Sequence, residues 1–128
     1  MSSVVLDASA VLALLKGEAG AEAVKRHIPG AAISAVNLAE GAGRLARAGM
    51  KEGPIRAAVA TLGLEVVPCD ESRAIAVGLL YPLTRQQGLS LGDRACLALA
   101  RERKLPAVTA DKAWKSLAID VEVQLIRD

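Results

Sequence analysis

Four acidic residues stand where an apolar run ends or where a helix is expected to begin: Asp7, Glu40, Asp93 and Asp111. Their contexts are VVLD, SAVNLAE, LSLGD and AVTAD. A carboxylate beside a buried strand is costly unless a positive group compensates for its charge. Carboxylate oxygens are also the ligands that hard divalent cations prefer. Together the four positions therefore suggest one shared site for a divalent metal ion.

Short polar side chains accompany three of these acids. If the segment after the second predicted strand is helical, Asn37 and Glu40 share one helix face, and the amide can orient the carboxylate. The companions are Ser9, Asn37 and Thr109, which stand two, three and two residues from the nearest acid.

Each acid also has an interpretation that needs no ligand. Asp7 and Asp111 can cap the helices expected directly after them. The segment Ser90–Asp93 fits a capping box ahead of an apolar helix. Glu40 can pair with Arg44 at the next helical turn. The hypothesis of a metal site therefore depends on the joint placement of the four acids and not on any one of them.

The elements that must position these residues alternate between short strands and helices. Alternation of this kind favours an α/β fold with a mostly parallel sheet and helices on both faces. In such sheets ligands collect at the carboxyl ends of the strands, where Asp7 and Asp111 are expected. The predicted strands are Val4–Leu6, Ala32–Ser34, Leu64–Val67, Ala107–Thr109 and Val121–Leu125. The predicted helices are Ala8–Leu15, Gly20–His27, Val36–Ala48, Pro54–Leu62, Glu71–Gln87 and Leu91–Lys104, with Pro82 expected to kink or split the fifth.

The composition indicates one folded domain over residues 1–128. A length of 128 residues is typical of one domain, and 52% hydrophobic residues exclude intrinsic disorder. Tyr81 and Trp114 are the only aromatic residues, so stacking on bases can contribute little to any binding of nucleic acid. The net charge of +2 is small, although basic residues gather near two of the acids. These are Arg94, Arg101, Arg103, Lys104, Lys112 and Lys115.

The cysteines and the first residues indicate a cytosolic protein. Cys69 and Cys96 form no metal-binding pattern and are expected to be reduced and buried. The N-terminal stretch lacks the basic region of a signal peptide, and Asp7 interrupts its apolar residues. No run reaches the roughly 18 apolar residues that a membrane span needs.

With these features together, the chain resembles the PIN-domain ribonucleases, specifically the VapC-type toxins of prokaryotic toxin–antitoxin pairs. The resemblance runs almost from end to end, and spacing, order and apolar neighbours all match. It is carried by VVLDASAVLALLKGEAGAE, SAVNLAE, LSLGDRACLALA, TADKAW and the closing VEVQLIR.

The resemblance implies a three-layer α/β/α sandwich with Mg²⁺ or Mn²⁺ at one edge of its sheet. It also implies cleavage of structured RNA, inhibition by a cognate antitoxin, and a homodimer. Asp7, Glu40, Asp93 and Asp111 fall on the family's acidic quartet, and Ser9, Asn37 and Thr109 on its supporting polar positions. We expect phosphate contacts from Arg94, Lys112 and Lys115.

Two other hypotheses remain open at this point. The segment Gly41–Ala46 matches the G-x-G-x-x-[GA] fingerprint of dinucleotide-binding proteins, but that fingerprint requires a turn directly after a strand. Alternatively, the acids only cap helices, and the protein is a non-catalytic scaffold. His27 is the single histidine, which excludes a ribonuclease mechanism that uses two histidines. Any proton transfer would then fall to a carboxylate or to water activated by the metal.

Overall fold

Five short parallel strands form the central sheet, in the order β3-β2-β1-β4-β5. The computed structural model describes residues 2–128. All four strand pairings are parallel, so the predicted mostly parallel sheet is confirmed. The strands are β1 (Val5–Leu6), β2 (Ala32–Ser34), β3 (Glu65–Val67), β4 (Ala107–Thr109) and β5 (Val123–Leu125).

Within residues 2–128, seven α-helices and two short 3₁₀ helices connect and cover the strands. The α-helices are α1 (Ala8–Lys16), α2 (Ala21–Lys25), α3 (Ala35–Arg47), α4 (Glu52–Leu62), α5 (Glu71–Leu79), α6 (Tyr81–Thr84) and α7 (Leu91–Arg103). The 3₁₀ helices span Arg85–Gln87 and Lys112–Ser116. The predicted segment Glu71–Gln87 is divided between α5 and α6, and Pro82 lies in the first turn of α6, where its missing N–H costs nothing.

Alternating side chains of the strands pack against helices on the two faces of the sheet. Leu6 of β1 belongs to the apolar cluster that includes Val11 of α1 and Val24 of α2. Val5, its neighbour, belongs to the cluster on the other face, which includes Leu97 of α7 and Trp114. The structure therefore has the three-layer α/β/α arrangement, and Trp114 is a core residue.

Because the strands are parallel, β1, β2 and β4 all end at the same edge of the sheet. β1 lies between β2 and β4, so the residues that follow these three strands are close in space. Asp7 directly follows β1, α3 begins directly after β2, and Asp111 follows β4 by two residues. The topology thus brings distant parts of the sequence to one place.

An ion pair stabilises the first residue of β3. Arg103 donates to a carboxylate oxygen of Glu65 at 2.7 Å, and the Ser2 hydroxyl donates to the same oxygen at 2.6 Å. These hydrogen bonds, mainly the one from Arg103, lower the pKa of Glu65 from its ordinary 4.5 to about 2.

Across residues 2–128, no helix has the length and apolar character needed to cross a membrane.

Candidate active site

The four acids predicted from the sequence line a single cavity at the carboxyl edge of the sheet. Its volume is about 360 Å³. The lining residues are Asp7, Ala8, Ser9, Glu40, Arg44, Gly88, Ser90, Asp93, Ala110 and Asp111. The topology therefore brings together side chains more than a hundred positions apart in the chain.

Asp7 is the most deeply buried of the four acids, with 3% of its surface exposed. One carboxylate oxygen accepts hydrogen bonds from the backbone N–H of Ala10, at 2.8 Å, and from the Ser9 hydroxyl, at 2.7 Å. The other oxygen accepts from the Thr109 hydroxyl at 2.6 Å. Asp7 is thus the N-cap of α1 and also part of the cavity wall, so the capping interpretation and the site interpretation are compatible.

The two hydroxyls that bond Asp7 also join it to the segment after β4. Ser9 Oγ accepts from the backbone N–H of Ala110 at 2.9 Å, and Thr109 Oγ1 accepts from that of Asp111 at 3.0 Å. Each hydroxyl therefore donates to Asp7 and accepts from the backbone beside Asp111. This network fixes the first acid relative to the fourth.

Asn37 connects Glu40 to the opposite helix. Its amide donates to the carbonyl oxygen of Gly92 in α7 at 2.9 Å, and it reaches Glu40 Oε1 only at 3.5 Å. The main role of Asn37 is therefore to hold α3 against α7. Gly92 also makes room for Glu40, because a Cβ at position 92 would overlap the Glu40 carboxylate.

Asp111 is an N-cap, as Asp7 is, and Asp93 completes a capping box with the N-cap Ser90. Asp93 Oδ2 accepts from the Ser90 backbone N–H at 2.9 Å, and Ser90 Oγ accepts from the Asp93 N–H at 3.2 Å, which confirms the predicted capping box. Asp111 Oδ1 accepts from the backbone N–H of Ala113 at 3.0 Å. Three of the four acids thus have one oxygen committed to a helix terminus.

Burial and mutual repulsion disfavour the charged form of two of the cavity carboxylates, Asp7 and Glu40. Burial, and to a lesser degree the charge of Asp93, raises the pKa of Asp7 above its ordinary value, although its hydrogen bonds oppose this. Burial and the charges of Asp93 and Asp7 also raise the pKa of Glu40, whereas the nearby Arg44 guanidinium lowers it. A bound cation would remove this electrostatic cost.

Among the described residues, the cavity wall offers carboxylate and hydroxyl oxygens and no sulfur or imidazole, and this set suits Mg²⁺ or Mn²⁺. Among residues 2–128, however, no three His, Cys, Asp or Glu side chains are clustered closely enough to hold an ion as they stand. Asp7, Asp93 and Asp111 each direct one carboxylate oxygen to a backbone N–H at the start of a helix. Each capping carboxylate keeps lone pairs for a further ligand.

The three predicted phosphate-contact residues lie outside the cavity lining. The Arg94 guanidinium lies over the Tyr81 ring, 5.2 Å from its centroid. Lys115 Nζ donates to the Val123 carbonyl oxygen at 3.0 Å and so anchors β5, and Lys112 is exposed. The basic residue that does line the cavity is Arg44. The sequence could have indicated this, because Arg44 stands four residues after Glu40 in a predicted helix and therefore lies on the same helix face.

The proposed glycine fingerprint does not have the structural context that dinucleotide binding requires. Gly41 and Gly43 lie within α3, which begins at Ala35, and not in a turn between strand and helix. His27 is half-buried near the end of α2 and is not part of the cavity wall.

Comparisons with known proteins agree with this fold. VapBC from Salmonella typhimurium, solved bound to DNA, has a TM-score of 0.75 and 17% identity, covering 98% of this chain and 99% of that one. VapC20 from Mycobacterium tuberculosis, described as a sarcin–ricin loop cleaving toxin, has a TM-score of 0.72 and 18% identity, covering 94% and 99%. A toxin–antitoxin complex from Klebsiella pneumoniae has a TM-score of 0.71 and 21% identity, also covering 94% and 99%.

A search of curated protein sequences finds no match. The PIN domain family, in contrast, matches residues 4–120, which is nearly the whole chain. The match spans all four acids of the cavity, the three polar side chains that hold them and every helix of the fold. The chain therefore belongs to the PIN domain family.

Proposed function

We propose that this protein is a metal-dependent endoribonuclease and the toxin of a VapBC-type toxin–antitoxin pair. The observation that carries the proposal is the convergence of Asp7, Glu40, Asp93 and Asp111 on one cavity. The shared sheet edge can gather acids that cap helices, but within residues 2–128 Glu40 caps no helix and still lines the same cavity. A site for a divalent cation accounts for all four carboxylates.

In this proposal Asp7, Glu40 and Asp93 hold Mg²⁺ or Mn²⁺, and Asp111 binds it directly or through water. When bound, the cation supplies positive charge at the phosphate and makes a water molecule more acidic. Ser9 and Thr109 keep the Asp7 carboxylate in one orientation, and Asn37 holds α3 against α7 so that Glu40 faces Asp93. With no histidine in the cavity wall, the carboxylates are the groups available to accept the proton of the attacking water.

Similarity to a toxin described as cleaving the sarcin–ricin loop supports RNA as the substrate.

The direct test compares RNA cleavage by the wild type with cleavage by Asp93→Asn. The variant should lose Mg²⁺-dependent cleavage yet remain folded, because Asn can still accept the Ser90 N–H. Asp120→Asn is the matched control, since Asp120 is exposed and pairs with Arg101 away from the cavity. Cleavage by Asp93→Asn at the wild-type rate would disprove the assignment of that carboxylate.

The scaffold hypothesis is tested by metal alone. Mn²⁺ at one hundred times its dissociation constant should stabilise the wild-type protein by about 2.7 kcal/mol, whereas a scaffold whose acids only cap helices should gain nothing. Thermal unfolding with Mn²⁺ and with EDTA distinguishes the two.

An apolar groove between α3 and α4 supports an antitoxin as partner. Its volume is about 650 Å³, and it is lined mainly by Leu38, Ala42, Gly43, Ala46, Met50, Ile55, Val59 and Ala60. Glu40 and Arg44 lie on the opposite side of α3 from this groove, so a peptide bound there reaches the acids by crossing α3. An arginine in such a peptide could pair with them.

Ala46→Glu tests this docking site. The substitution should prevent inhibition by the small protein encoded next to this gene, and it should leave RNA cleavage intact. Ala57→Glu, on the exposed side of α4, is the control. Equal inhibition of both variants would exclude the groove.

Exposed apolar side chains on α5 and α6 support a homodimer. Ile75, Leu79 and Leu83 follow one another at four-residue intervals and are 58%, 70% and 49% exposed. Such a stripe is costly in water and is typical of a surface that a second apolar surface covers. A two-fold axis would place the stripe against its own copy.

A further inference from the structure

We propose that Arg44 binds a phosphate of the RNA backbone at the mouth of the acid-lined cavity, an inference that rests on the proposed ribonuclease function. Arg44 is the single basic residue that lines this cavity in the part of the chain that the structure describes. The wall otherwise contributes Asp7, Glu40, Asp93 and Asp111, whose charges repel a polyanion. A substrate phosphate must therefore find positive charge beyond that of a bound cation.

The guanidinium of Arg44 is available for such a contact. Arg44 follows Glu40 by one helical turn on α3, yet within residues 2–128 it forms no salt bridge. The side chain is exposed. The expected pairing of Glu40 with Arg44 is therefore absent, although the two are close enough for Arg44 to lower the pKa of Glu40.

Two of the basic residues that the sequence favoured for phosphate contact make other contacts, and the third, Lys112, lies outside the cavity lining. Arg94 covers the Tyr81 ring, and Lys115 bonds the Val123 carbonyl oxygen. A guanidinium with free N–H groups in a planar fork is well suited to two phosphate oxygens at once, more so than an ammonium. The geometry thus assigns to Arg44 a direct contact with the substrate.

The test measures binding of a fluorescein-labelled RNA hairpin by anisotropy, in the presence of Mn²⁺. All proteins carry Asp93→Asn, so that the RNA stays intact. Arg44→Ala should weaken binding by about tenfold or more, as expected for the loss of a hydrogen-bonded charge. It should also reduce the slope of log K against log salt by about 0.7 to 0.9, which corresponds to one phosphate contact. Arg44→Lys should keep the slope while binding less tightly.

Arg47→Ala is the matched control, because Arg47 is exposed on the same helix but does not line the cavity. It should leave affinity and slope unchanged. Equal effects of Arg44→Ala and Arg47→Ala, or an unchanged slope for Arg44→Ala, would overturn the inference. Arg44→Gln provides a second neutral variant if Arg44→Ala is poorly folded.

Failure of the proposed function gives a different result. If the otherwise wild-type protein neither cleaves RNA nor gains stability from Mn²⁺, the nuclease proposal fails, while a slope change specific to Arg44 would still show that it contacts phosphate. If, in chains that keep Asp93, Arg44→Ala lost the Mn²⁺-induced stability that Arg44→Lys kept, Arg44 would act on the acids and not on RNA, and the inference would be wrong.

Discussion

Replacing Thr109 by valine removes one hydroxyl from beneath the acids and almost nothing else. Thr109 is fully buried, and valine has nearly the same shape. The lost hydrogen bond to the charged Asp7 is worth about 1.5–3 kcal/mol, and the Asp111 N–H left without its acceptor adds about 1 kcal/mol. We therefore expect the free energy of unfolding to fall by about 2.5–4 kcal/mol in urea titrations with EDTA.

Thr84→Val is the matched control. Thr84 is also fully buried, but its hydroxyl donates to the Leu80 carbonyl oxygen, at 2.9 Å, and not to a carboxylate. Its loss should cost only about 0.5–1.5 kcal/mol. A second measurement separates stability from function: Thr109→Val should weaken Mn²⁺ binding about 10- to 100-fold, as losses of supporting hydrogen bonds do, whereas Thr84→Val should leave it unchanged.

Two results would refute this reasoning. If Thr109→Val were no less stable than Thr84→Val, the network around Asp7 would not be a significant source of stability. If both variants bound Mn²⁺ like the wild type, the Thr109 hydroxyl would not orient a metal ligand.

Three further predictions concern other parts of the molecule. Gly92→Ala should leave stability intact, because only the flexible end of Glu40 must move, but should reduce RNA cleavage and Mn²⁺ affinity about 10- to 100-fold. Gly43→Ala, which adds a Cβ in open space on the helix of Glu40, should affect neither. Because the folded-state pKa of Glu65 is lowered to about 2, its ion pair stabilises the protein fully above pH 4.5, and this contribution is lost as the pH falls from 4.5 toward 2. Acid unfolding curves of Glu65→Gln should be flatter across that range, and a wild-type-like slope would contradict the assignment. Leu79→Glu should convert a dimer to a monomer in light scattering; an unchanged mass would exclude this face.

Much of the fold could be predicted from the sequence, because the residues that begin and end each strand or helix are close to it in the chain. The predicted bounds of β2 and β4 match the structure residue for residue, since Pro29-Gly30 and Pro106 mark where each preceding segment stops. The predicted last strand is too long. Its ladder begins at Val123 and not at Val121, because its partner β4 pairs with it through three residues, Ala107–Thr109.

For the candidate site, the sequence predicts which residues take part but not the contacts between them. The order of apolar runs and acids predicts that Asp7 and Asp111 meet at one sheet edge, because parallel strands require it. The bond from Asn37 to the Gly92 carbonyl spans 55 positions and depends on how α3 and α7 pack, so no local pattern reveals it. For the same reason, the sequence pattern favoured Arg94 for phosphate contact, although its side chain turns to Tyr81.

Three of the four acids also bond backbone N–H groups where helices begin, so genetic screens on this protein need careful design. An alanine at Asp7 or Asp111 would remove an N-cap, at about 0.5–2 kcal/mol, together with any ligand, and an alanine at Asp93 would remove half of the capping box whose N-cap is Ser90. Colonies that survive expression of such alleles would then include chains that are degraded as well as chains that are inert. Asparagine keeps the cap and isolates the chemistry, so protein abundance and toxicity can be scored as separate phenotypes.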